Sequence, residues 1–161
     1  MTRVMLISLI AAAVVADQLT KAAALSLLSE RTAVPVLPGF NLALGFNEGA
    51  SFGMMGGVMA GKPLLMAAMT GALALVFALM AFRARHPLER AGFALVVGGA
   101  FGNIIDRLRQ GSVTDFLDLY WRDWHWPTFN VADIAITLGA VLILAASLPL
   151  RRCKEPVLDQ N

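Results

Sequence analysis

The chain has 161 residues, a formal net charge of +2, 58% hydrophobic residues and 15% charged ones, where about 25% charged is usual for a soluble domain. A single domain of this length has no interior large enough for so much apolar side chain, so the excess faces lipid. The near-neutral charge, without a clustered basic face, argues against a nucleic-acid partner. A single cysteine, Cys153, excludes a disulfide framework and a cysteine-built zinc site, and two histidines without a His-Glu-x-x-His pattern give no support for a catalytic metal.

A helix needs roughly 20 apolar residues to cross the hydrocarbon core. Val4 to Leu28 is the first candidate, interrupted by Asp17, Gln18, Thr20 and Lys21. Arg3 ahead of it has the look of a secretory leader, but the apolar run resumes at Ala22, so the segment reads as a retained span. Residues 33–46 carry Pro35, Pro38 and Gly39 among Val34, Val36, Leu42 and Leu44, which predicts short strands and turns. Pro63 to Phe82 contains no charge at all and is the cleanest span. Ala91 to Ile105 runs uncharged up to Asp106, and Ile134 to Leu150 runs uncharged after Asp133. Both runs are slightly short, so their polar flanks belong to the spans, placed at about 88–109 and 130–150. Between them, residues 110–127 hold Tyr120, Trp121, Trp124 and Trp126, aromatics of the kind that mark a membrane interface. Asp115 is expected in an irregular stretch there. No internal repeat is visible.

Four spans put both termini on one side. The basic linker from Arg83 to Arg90, with Arg3, Arg151 and Arg152, makes that side cytoplasmic, where Cys153 stays reduced. The expected architecture is thus an all-α membrane protein with four transmembrane helices in one domain spanning residues 1–161.

Ionisable residues in or beside spans are costly and are functional candidates by default. Asp17 and Lys21 stand at i, i+4 on one helix face, which is also what a neutralised pair needs in order to cross. Asn103, Asp106 and Arg107 share one face of the third helix, while Gly98 and Gly102 let a second helix come close. Asn130 and Asp133 share a face at the start of the fourth, where an acid also suits the helix dipole. Asp115 and Asp133 fall at the same outer membrane depth.

Two carboxylates brought together cannot both ionise, so they share a proton. The ionised one draws a proton from a water that attacks a carbonyl; the protonated one donates to the carbonyl oxygen and then to the leaving amine. Such a dyad needs no cofactor. Two other patterns fail on context. Gly49-Ala-Ser-Phe-Gly53 matches a nucleophile elbow, but the chain lacks residues for the sheet that motif requires. Gly56 to Pro63 approaches a phosphate loop, but Pro63 replaces the Ser or Thr that holds magnesium.

Four blocks, in this order, resemble the bacterial lipoprotein signal peptidase (signal peptidase II) family. They are Asp17-Gln-Leu-Thr-Lys21, Asn47-Glu-Gly-Ala-Ser-Phe52, Gly99 to Arg107 with Val113-Thr-Asp-Phe116, and Phe129-Asn-Val-Ala-Asp133. The resemblance implies an aspartyl endopeptidase of the bacterial inner membrane, active at its outer face. It would cut diacylglyceryl-modified prolipoproteins just before the lipidated cysteine and be inhibited by the cyclic peptide globomycin. Asp115 and Asp133 would be the catalytic pair. Asn47, Gly49, Asn103, Arg107 and Asn130 would line the site, with Asp17, Lys21 and Asp106 supporting it. A small extracytoplasmic sheet would cradle the substrate, and membrane lipid is the surrounding partner. A proton-relay or transporter subunit using Asp17, Lys21 and Asp106 is the competing class, and a membrane scaffold the third. Against transport, there is no repeat, and the polar residues gather at one face.

Overall fold

The computed structural model describes residues 1–29, 32–49 and 61–148. Among these residues there are four helices, α1 (Arg3–Leu27), α2 (Pro63–Arg83), α3 (Pro87–Gln110) and α4 (Val131–Ser147). The same residues hold an antiparallel sheet of β1 (Val34–Leu37), β2 (Phe40–Asn47), β3 (Val113–Trp121) and β4 (Trp124–His125), paired in chain order. Helices α1, α2 and α3 are long and apolar enough to cross a membrane; the described part of α4 is apolar but shorter, at 17 residues.

Local chemistry sets the helix ends. The Met5 amide donates to the Thr2 hydroxyl, capping α1, and Pro63 and Pro87 open α2 and α3 where a missing N–H costs nothing. Gly111 ends α3 at φ +82°, a left-handed conformation that glycine adopts without a Cβ penalty. Asn130 and Asp133 form a reciprocal capping box on α4.

Helix α3 is the centre of the bundle, packed against each of the other three, and most of its residues from Gly92 to Ile104 are buried. Helix α2 buries only Ala67, Ala74 and Ala81, a stripe of small side chains one heptad apart. Around that stripe Leu64, Leu73, Leu75 and Phe82 stay exposed, as a face toward acyl chains requires. Helices α3 and α4 come into backbone contact where Gly92 and Gly139 face each other and again where Gly99 meets the Ala132 carbonyl. A Cβ on Gly139 would lie 2.5 Å from the Gly92 carbonyl oxygen, and one on Gly92 would lie 2.7 Å from the Gly139 carbonyl oxygen. Gly139→Ala is therefore expected to destabilise the fold by about 1–3 kcal/mol, read as a fall in melting temperature in detergent.

The strands expected between residues 33 and 46 are present as β1 and β2. The irregular stretch expected around Asp115 is instead the regular strand β3, with Asp115 paired opposite Gly45. The 126–129 segment that returns to α4 is also stitched to β3, through the Trp126 amide to the Leu119 carbonyl and the Phe129 amide to the Leu117 carbonyl. Asp115 is thus held in a paired strand whose next residues are bonded on the far side as well, and free loop motion does not set its position.

Candidate active site

Side chains alternate across a strand, so Val113, Asp115 and Leu119 of β3 share one face. That face lines a cavity of about 640 Å³, bounded by Asn103 and Arg107 from α3 and by Asp133 from the first turn of α4. Both aspartates singled out from the sequence open on this one space, although 18 positions separate them in the chain. Asp115 is only 3% exposed. Burial, reinforced by the nearby Asp133 carboxylate, pushes its pKa up to about 7. The Asn130 hydrogen bond and the charges of Lys21 and Arg107 act the other way.

Three asparagines hold the carboxylates. Asn130 Nδ2 donates to Asp115 Oδ1 at 2.6 Å, Asn47 Nδ2 to Asp115 Oδ2 at 3.3 Å, and Asn103 Nδ2 to Asp133 Oδ1 at 2.9 Å. An amide would serve as well turned end for end, unless its oxygen is fixed by a group that can only donate. Each of the three is fixed in that way. The Asp133 amide donates to Asn130 Oδ1 at 3.0 Å, the Gly49 amide to Asn47 Oδ1 at 2.9 Å, and the Lys21 ammonium to Asn103 Oδ1 at 2.9 Å. Every asparagine NH₂ is thereby aimed at a carboxylate, and each carboxylate oxygen keeps lone pairs for a substrate or water.

Behind this layer lies a second cluster. Lys21 is 2% exposed, and its ammonium reaches Asp17 Oδ2 and Asp106 Oδ2, both at 2.9 Å, as well as Asn103. Gly102 faces Asp17 so closely that a Cβ there would collide with the carboxylate, so a glycine is needed where α1 meets α3.

The family model for Signal peptidase (SPase) II matches residues 9–149 of the chain. The chain belongs to the signal peptidase II family. The lipoprotein signal peptidase of Syntrophotalea carbinolica is 44% identical over 143 residues, covering 86% of this chain and 88% of that one. Its counterpart in Symbiobacterium thermophilum is 42% identical over 133 residues, covering 81% and 86%. A bacterial membrane enzyme solved by the in meso method at 2.3 Å superposes with a TM-score of 0.79 at 26% identity, covering 96% of this chain and 93% of that one.

In this peptidase the sequence blocks meet at one end of the bundle. Asn47, Asn103, Arg107, Asp115 and Asp133 line the cavity itself. Asn130, Gly49, Asp17, Lys21 and Asp106 act from behind through the bonds above and below. Arg107 donates to the Asn103 carbonyl oxygen at 3.3 Å, while its buried Nε has no partner among the described residues. Two features escape the sequence reading. Gln18, inside the first block, donates to Asp106 Oδ1 at 2.9 Å and to the Gly102 carbonyl oxygen at 3.2 Å; its place between Asp17 and Lys21 was the available signal. Trp126 and Thr128, on the return to α4, form cavity wall. His125, which the nucleophile-elbow pattern would need, instead pairs with Asp118 Oδ1 at 2.8 Å on the sheet. Ser51 and the phosphate-loop-like residues 56–60 lie outside the described residues, as do Arg31, Ala50, Phe52 and the tail with Cys153.

Proposed function

We propose that the peptidase is an aspartyl endopeptidase that removes signal peptides from diacylglyceryl-modified prolipoproteins just before the lipidated cysteine, with Asp115 and Asp133 as the catalytic pair. The observation that carries this reading is the convergence of both carboxylates on one cavity, each with an oriented asparagine donor. Asp115, with a pKa of about 7, holds the shared proton, and Asp133 is the base. Asp133 stands in the first turn of α4, where it accepts from the Asn130 backbone amide at 3.2 Å and from the Asn103 side-chain amide at 2.9 Å.

Asp133 takes a proton from a water whose oxygen adds to the scissile carbonyl carbon. Asp115 gives its proton to the carbonyl oxygen, forming a gem-diol. Collapse breaks the carbon–nitrogen bond, the pair delivers a proton to the departing amine, and a gem-diol hydroxyl proton restores Asp115. Arg107, which lines the cavity, binds substrate carbonyl oxygens through its guanidinium. Asn47, Asn103 and Asn130 hold the pair, Gly49 orients Asn47, and Asp17, Lys21 and Asp106 support the layer behind.

The whole chain acts as one domain with four membrane spans, α4 being the fourth. It resides in the bacterial inner membrane with both termini cytoplasmic and the cavity at the outer face, where a lipid-anchored substrate arrives along the bilayer. Globomycin, a cyclic peptide, occupies the same cavity as an inhibitor.

The test is incubation of the purified protein with a lipidated precursor, which is expected to lose mass equal to its signal peptide and to be protected by globomycin. The rate should follow a bell in pH. Because the raised pKa keeps Asp115 protonated below about 7, activity should fall as pH rises through that value. An uncleaved precursor, or a rate still rising above pH 8, would sink the assignment.

A further inference from the structure

The buried cluster around Lys21 does more than neutralise a span. Asp17 Oδ1, on α1, accepts the Ala132 amide at 2.9 Å, and Ala132 immediately precedes Asp133. Asp106 Oδ2, on α3, accepts the Thr114 amide at 3.0 Å, and Thr114 immediately precedes Asp115. Each support carboxylate thus grips the backbone one residue before a catalytic one. Lys21 binds both supports and also the amide oxygen of Asn103, whose nitrogen contacts Asp133. The ammonium's three protons match these three acceptors, all at 2.9 Å. Gln18 closes the set with bonds to Asp17 Oδ2 at 3.2 Å and to Asp106 Oδ1.

We infer that Asp17, Lys21 and Asp106 form a strut that fixes the separation and orientation of Asp115 and Asp133, making the three positioning residues for the reaction. Two of the anchored atoms are main-chain N–H groups on different elements, β3 and α4, and the third is the Asn103 amide on α3. Without a common tie, the strand end and the helix start could slide past each other by the fraction of an ångström that a concerted double proton transfer does not tolerate. The function of the strut is geometric. The fold does not depend on its charge, because a buried ion cluster exchanged as a whole for neutral groups of like volume is often no less stable. Asparagine at 17 and 106 would still accept the Ala132 and Thr114 amides, and methionine at 21 would fill the space of the lysine stem. What disappears is the ammonium that ties the two supports to each other and to Asn103, leaving the Asn103 oxygen only the longer bond from Asn130 Nδ2 at 3.2 Å.

This inference rests on the aspartyl reading above, so the experiment separates the two. The full chain in detergent is assayed on a diacylglyceryl-modified precursor as wild type, as Lys21→Met, as the triple variant Asp17→Asn/Lys21→Met/Asp106→Asn, and as Asp115→Asn and Asp133→Asn. Lys21→Met alone strands two buried carboxylates and is expected to melt at a lower temperature, so the triple variant is decisive. It should stay monodisperse with a melting temperature near that of wild type, bind precursor with KM within about twofold, and lose about a hundredfold in kcat. A triple variant with wild-type kcat, one whose loss lies in KM alone, or one that does not fold overturns the strut. With the dyad variants inactive, that outcome removes only the strut; active dyad variants would remove the aspartyl reading and the strut with it.

Discussion

Asp115→Asn and Asp133→Asn should each lower turnover of a lipidated precursor by about 10⁴-fold or more, at equal amounts of folded protein. The exchange replaces one oxygen by an amide nitrogen with almost no change in volume. Asn at 115 still offers an oxygen to Asn130 Nδ2, and Asn at 133 still offers one to the Asn130 amide, so packing and the α4 cap survive. The ability to take up and release a proton does not survive. Because the two carboxyls act as a unit, the double variant should cost little more than either single one. A packing or scaffold role would predict nearly full activity in both. Retention of even a tenth of wild-type turnover by Asp115→Asn would refute the mechanism.

The helices were legible in the sequence because hydropathy specifies them, and the polar end of α3 was legible because its apolar run is too short to cross alone, which put that span at about 88–109. The apolar run stops at Ile105, while α3 continues to Gln110, since Asp106 turns inward to Lys21 and Thr114. Strands β1 and β2 were readable from their proline, glycine and branched residues. Strand β3 was hidden because both of its faces are largely covered: Thr114, Asp115, Phe116 and Asp118 are all buried, so no apolar–polar alternation appears. Asp118 is buried with partners from neighbouring strands, Asn41 Nδ2 at 3.0 Å and His125, an arrangement that follows from register and not from local sequence.

The candidate site shows the same division. Spacing along one helix paired Asp17 with Lys21 and put Asn103, Asp106 and Arg107 on one face, because a helix brings i and i+4 together. The bonds that complete the site join residues 82, 88 and 115 positions apart, namely Lys21 to Asn103, Gln18 to Asp106, and Ala132 to Asp17. Such pairings exist only once α1, α3 and α4 have packed, and the glycines at 92, 99, 102 and 139 set how close that packing is. Order in the chain therefore identified the participants, while the packed bundle determines which carboxylate meets which amide.

Asn130 tests that determination most sharply, since its two amide atoms have separable duties. The oxygen caps α4 by accepting the Asp133 amide, and the nitrogen holds Asp115 at 2.6 Å. Asn130→Ala removes both. Asn130→Ser keeps an oxygen suited to the cap, but the shorter side chain cannot reach Asp115. The alanine variant should be less stable than the serine variant by about 1 kcal/mol, the usual worth of a cap. Both should lose about 10²-fold in rate, the scale for removing one oriented donor from a catalytic group. Both should also change the pH profile in one direction. The Asn130 hydrogen bond opposes the upward push of burial on the Asp115 pKa, so without it the carboxyl keeps its proton to a pH above about 7. The alkaline limb of the rate profile then moves to higher pH in Asn130→Ser as much as in Asn130→Ala, while the melting temperatures of the two differ. If serine restored the rate and left the limb where wild type has it, the amide nitrogen would have no part in holding Asp115, and Asn130 would be a helix cap alone.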